Sequence, residues 1–173
     1  EDGYSSIGGA DFFKAAWLSV IAADIARKML LKTRPYEKVK GTTNAVYEQS
    51  LAHLENVIER EGVPFSRRLS ALREALVAVR DDFRAIDAEY VRGKPLIAVI
   101  GEIFCRHNRF ANEDMLEKLE EHGAETWIAD VGEWVFYTNW TFTKNMIRLG
   151  RRFSLDMAKT QVKTWFMKRY EHE

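Results

Sequence analysis

The chain has 173 residues, with 26 Lys plus Arg balanced by 26 Asp plus Glu, so its formal net charge at pH 7 is zero. A hydrophobic content of 46% with 10 Gly and 3 Pro excludes disordered, collagenous and low-complexity classes. The single cysteine, Cys105, excludes an internal disulfide framework and any multi-cysteine zinc or iron–sulfur site built by this chain alone, and the absence of a basic excess argues against nucleic acid as the main partner.

Ser5, Ser6, Gly8 and Gly9 read as a flexible lead-in, and Asp11 as a helix N-cap. Phe13, Trp17, Ile21 and Ile25 recur at four-residue steps and predict an apolar helical face, closed by Pro35. The apolar run 15–26 is interrupted by Asp24 and is too short to span a bilayer. No basic stretch leads into an apolar one at the N-terminus, so a cytoplasmic home without membrane attachment is expected. After a connector over 33–44, Tyr47, Leu51, Leu54 and Ile58 predict a second helix over about 44–61, ended by Gly62 and Pro64. Leu69, Leu72, Leu76, Val79, Phe83, Ile86 and Tyr90 predict a third over about 66–91, with a solvated charged face opposite.

The pattern changes at Gly93-Lys94-Pro95. Residues 96–101 form a continuous apolar run, as expected of a strand buried on both faces of a parallel sheet. Asn112 reads as the N-cap of a helix with Glu113 and Asp114 in its first turn, and His122-Gly123 as its C-terminal stop. Residues 126–129 read as a second strand, and Gly132-Glu133 opens another helix. The tail from about 144 to 171 reads as basic and helical, with Gly150 as a kink or break. The fold class is therefore helix-rich α/β: a helical region over 1–92, then a partial Rossmann-like βαβα parallel unit with basic C-terminal helices over 93–173. Two parallel strands leave edges and faces uncovered. A homodimer is expected, or cover from the N-terminal helices. With Glu1 rather than Met at position 1, the chain is expected to be part of a longer protein.

Charge is unevenly spread. Residues 113–133 carry eight acids against one base, a net of −7, whereas 144–173 carry eight bases against three acids, a net of +5. Mutual neutralisation of the two blocks is the expectation.

In open parallel sheets ligands sit beyond the carboxyl ends of the strands. That rule selects the loops 101–112 and 129–134, and with them a candidate crevice of Glu102, Arg106, His107, Asn108, Arg109, Asn112, Asp130 and Glu133. No glycine-rich phosphate loop is present. Arg106 and Arg109 suit a side-on clamp for phosphate or carboxylate; the competing reading pairs them with Glu102, Glu113 or Asp130. His107 with Glu102 or Asp130 lacks metal-site spacing, so no metal is assigned and a hydrogen-bonding His is preferred. Cys105 has cationic neighbours that favour a reactive thiolate, against the commoner role of a small buried thiol. Trp134, Phe136, Tyr137, Trp140 and Phe142 suit an acyl or aromatic pocket, or more commonly packing or an interface. Spacing alone assigns no catalytic residue.

Residues 101–140 carry a further pattern: Gly101, Glu102, Ile103, Phe104, Arg106, Asn108, Phe110 and Asn112, then Leu119, Glu120, Gly123, Glu125, Trp127, Glu133, Trp134, Tyr137 and Asn139. It resembles the dehydratase-like region of the CoA-substrate-specific enzyme activases, proteins of anaerobes related to 2-hydroxyacyl-CoA dehydratases and their ATP-dependent activators. Residues 12–37 resemble the region that precedes it. Cys105 stands where that family usually has an aliphatic residue. The resemblance implies an internal fragment that acts as scaffold and as part of a substrate- or cluster-facing lobe, not catalytic alone. It implies a four-iron four-sulfur cluster and ATP only in the full-length protein or its partner. It implies as partners the remaining domains of the same polypeptide and an acyl-CoA or a dehydratase subunit. An interaction or regulatory α/β domain without redox role is the alternative, and a small stand-alone enzyme using Glu102, His107 and Asp130 is the least favoured reading.

Overall fold

The computed structural model describes residues 9–60 and 62–171; the Ser5, Ser6 and Gly8 lead-in lies outside them. Residues up to Ala129 form one compact unit and those from Asp130 a second. In the first unit, α1 (Gly9–Thr33) leads through a 3-10 turn (Arg34–Tyr36) to α2 (Thr42–Ile58) and α3 (Phe65–Ala85). Then come β1 (Leu96–Val99), α4 (Ile103–His107), α5 (Met115–Glu121) and β2 (Glu125–Ile128). The second unit holds α6 (Val131–Arg148) and α7 (Leu155–Glu171).

Both α2 and α3 pack on α1. The buried face of α1 is Trp17, Leu18, Ala22, Ala26 and Leu30, one position away from the expected stripe, with Ile21 and Ile25 only half-buried. Alanines at the contact let two helices approach α1 closely, which a row of isoleucines does not permit. Asp11 is not a cap: it lies in the first turn of a helix that begins at Gly9, and it pairs with Lys14 at 3.1 Å. Pro35 does end α1, because the helical geometry gives way to the short 3-10 turn around it.

Leu72, Ala75, Val79 and Phe83 are the buried stripe of α3. The helix stops at Ala85, so Ile86 and Tyr90 leave the predicted periodic run. Tertiary bonds explain the early stop. Lys38 N–H donates to the Asp87 carbonyl at 3.0 Å, Glu89 N–H donates to Tyr36 O at 2.9 Å, and the Tyr36 and Tyr90 rings lie 5.0 Å apart.

The two strands pair in parallel, with Leu96 opposite Glu125 and Val99 opposite Ile128. Val99, Thr126 and Ile128 are buried, whereas Leu96, Ala98 and Trp127 are exposed, so the expectation of burial on both faces fails. In the first unit α1 and α5 pack on β2, and the sheet has no third strand among the described residues. Between the strands, α5 ends as expected: His122 Nδ1 donates to the Lys118 carbonyl at 2.7 Å and Gly123 takes φ +91°. Its start differs. Glu113 and Asp114 are both left-handed, at φ 53° and 54°, so they form a turn before α5 rather than its first turn. In the second unit Gly150, at φ +70°, breaks the tail into α6 and α7. Among the described residues no helix is long and apolar enough to cross a membrane.

Candidate functional site

A cleft of about 200 Å³ opens in the first unit, where the segment from α4 to α5 faces α1 and α2. Four of the eight expected crevice residues line it: Arg106, His107, Arg109 and Asn112. The facing wall, which spacing did not reveal, consists of Arg27 from α1, Arg34 from the 3-10 turn, and Asn44, Tyr47 and Glu48 from α2. No local signal marks this wall, because the pairing spans some eighty residues of chain.

Backbone capping holds the loop in shape. Glu102 caps α4 by accepting from Cys105 N–H at 2.9 Å. The amide hydrogens of Cys105 and Phe104 keep its carboxyl below the usual range. Asn108 accepts from Ala111 N–H at 3.0 Å. Asn112 donates to the carbonyls of Cys105 and Arg106, at 3.2 and 3.0 Å, and accepts from Met115 N–H at 3.4 Å. It therefore ties α4 to α5 instead of being the N-cap directly before an acidic first turn. Glu102 and Asn108 are structural in this geometry. Asp130 and Glu133 belong to the second unit, at the start of α6. Cys105 is exposed, so the expectation of a buried thiol is overturned.

His107 joins three elements. Its Nε2 lies 3.2 Å from the Ala129 carbonyl, just past β2, and its Nδ1 meets Arg27 Nη1 from α1. A carbonyl only accepts and a guanidinium only donates, so the ring is neutral with its proton on Nε2. Burial, then the charges of Arg27 and Arg106, push the imidazole pKa below its usual value; the Ala129 bond and the Asp24 carboxylate pull the other way and are outweighed.

The arginines differ in their partners. Arg34 grips Glu120 with two bonds, at 2.6 and 3.1 Å, and reaches Glu117 and Asn44 at 3.1 Å each. Arg109 pairs with Asp114 at 2.6 Å and Glu117 at 3.0 Å. Lys40 pairs with Glu121, and Lys32 with Glu125, so the end of α1 and the connector meet part of the acidic block. Burial works against the charge of Glu125, but bonds from Lys32 and Tyr36 outweigh it and hold the carboxyl low. The same bond, with burial, pushes the Tyr36 hydroxyl up to about 12. Arg106 donates only to the Gly101 carbonyl, at 3.1 Å, and its buried Nε has no partner.

Among the described residues no group of three or more His, Cys, Asp or Glu side chains is arranged to hold a metal ion. No protein-family model, curated protein or solved structure matches the chain.

Proposed function

We propose that the chain is a scaffold and a substrate- or cluster-facing lobe of a CoA-linked dehydratase-like or activase protein, not catalytic by itself. One observation carries this reading. The two stretches that bear the family resemblance, 12–37 and 101–140, both line one cleft: Arg27 and Arg34 from the first, Arg106, His107, Arg109 and Asn112 from the second. The order β1–α4–α5–β2 with parallel register supports reading this segment as the opening of a Rossmann-like unit. His107 sits against the carboxyl end of β2, the usual ligand side of such sheets. A cavity of about 200 Å³ suits a head group rather than an entire CoA. The iron–sulfur cluster and ATP belong, in this reading, to other parts of the polypeptide or to its partner. Cys105 alone does not supply the four thiolates a cluster needs, so no cluster chemistry is assigned to these residues.

Calorimetric titration of the chain with CoA and a short acyl-CoA tests the reading. Saturable one-to-one binding that weakens at least about tenfold, or about 1.4 kcal/mol, in Arg106→Ala is expected. No heat up to the solubility limit of the ligand overturns it. That outcome would favour the second reading, an interaction module without redox role. Its support is the row Trp134, Tyr137 and Trp140, which stand 42%, 61% and 56% exposed at three-residue steps along α6.

A further inference from the structure

Four guanidinium groups line one small cleft, and they are not equivalent. Arg34 and Arg109 have their charges met by Glu120, Glu117 and Asp114. Arg27 and Arg106 are paired with no carboxylate among the described residues: Arg27 meets the neutral ring of His107, and Arg106 a backbone carbonyl. The two cations approach the same imidazole from different elements, α1 and α4, and both act on it electrostatically. Two half-buried cations held near each other repel, and the neutral acceptors they meet leave both charges uncompensated. The buried Nε of Arg106 adds an N–H donor without an acceptor in a region where such groups are rare. An oxyanion in the cleft offsets both charges, because its oxygens accept from planar guanidinium forks.

We infer that Arg27 and Arg106 form an oxyanion subsite beside His107, for a phosphate or carboxylate group of a ligand that enters the cleft. The inference rests on the cleft being a ligand site, as proposed above, but does not need the ligand to be a CoA. Most carboxylates near this subsite do not compete for it: Asp114 and Glu117 are engaged by Arg109 and Arg34, and Glu48 lies on the Arg109 side of the cleft, while buried Asp24 of α1 is, among the described residues, the one carboxylate that acts on the imidazole itself. A bound anion also reverses the local field at His107. Arg27 and Arg106 then turn toward the ligand, and the imidazole, still held at Nε2 by Ala129, becomes easier to protonate. The groups acting on the ring are Asp24 and Arg27 from α1, Arg106 from α4 and the Ala129 carbonyl past β2.

The test is an NMR titration of the chain with inorganic phosphate, following the imidazole signals of His107, His53 and His122. A saturable shift confined to His107, with a rise in its pKa, is expected, and Arg106→Gln should abolish it while Arg109→Gln retains it. Equal, non-saturating shifts at all three histidines overturn the subsite, as does retention of the full response in Arg106→Gln. Should that variant not fold, Arg27→Gln serves in its place, and the wild-type comparison of His107 with His53 and His122 decides alone. Competition by acetate, against phosphate, separates a carboxylate group from a phosphate group as the better occupant. Binding of phosphate but not CoA keeps the subsite and removes the CoA reading. Binding of CoA with no saturable phosphate response at His107 does the reverse.

Discussion

His107 is a clamp whose chemistry depends on staying neutral. As a neutral ring it donates to Ala129 and accepts from Arg27, and so holds the end of β2 against α1. Protonation places a second hydrogen opposite the Arg27 guanidinium and turns an attraction into a repulsion. Its folded pKa is depressed below 6.5, the value expected in the unfolded chain. The unfolded state therefore takes up the proton first as pH falls, and stability drops from about pH 6.5 downward until the folded pKa is passed. Above that window the contribution is fully present. Urea unfolding in a buffer free of phosphate, at steps between pH 7.5 and 5, is expected to show this loss, and His107→Phe to remove its His-dependent part. An unchanged pH profile in the variant would show that the ring does not titrate as described.

Elements are tied together here by charge at sites where the sheet is small. Arg34 links the end of α1 to α2 through Asn44 and to α5 through Glu117 and Glu120, and Glu120 also accepts from Thr126 of β2 at 2.6 Å. The Arg34 and Glu120 side chains are 11% and 6% exposed, so removal of one leaves the other charged and dry. Arg34→Ala is expected to cost about 3 kcal/mol in chemical denaturation. Lys40→Ala, which breaks the exposed pair with Glu121, should be indistinguishable from wild type. Equal effects of the two substitutions would show that burial does not set the strength of these pairs. The helices themselves were legible in the sequence, since their apolar periods survive in Trp17, Leu54, Leu72, Val79 and Phe83. Their ends were less so. Tyr36 and Tyr90 stop α3 by a contact between residues far apart in the chain, which no local pattern records.

At the scale of the whole molecule the two-stranded sheet is the unfinished part. Leu96 and Ile100 stand 63% and 81% exposed, and Trp127 46%, on strands whose composition is that of a buried sheet. Such a surface is expected to be covered by a second copy. Sedimentation equilibrium should therefore give a dimer mass, and Leu96→Lys should shift the population to monomer. A folded wild-type chain that stays strictly monomeric at high concentration would contradict this.

The sequence by itself determined the long helical segments, where the chain switches to a β-α-β pattern, and that the stretch 101–112 carries a concentration of polar side chains, though not the short helix α4 within it. These follow from local periodicity and from turn residues such as Pro35 and Gly123, whose preferences act within a few positions. The tertiary structure alone decided which arginines are spent and which are not. Arg106 and Arg109 look alike in sequence, three residues apart in the same loop. Arg109 meets Asp114 and Glu117, while Arg106 turns toward Gly101 and acts on the His107 ring together with Arg27, nearly eighty residues upstream. Charge pairing is set by distance in space, and only the packing of α1 against the loop brings those groups within reach of each other.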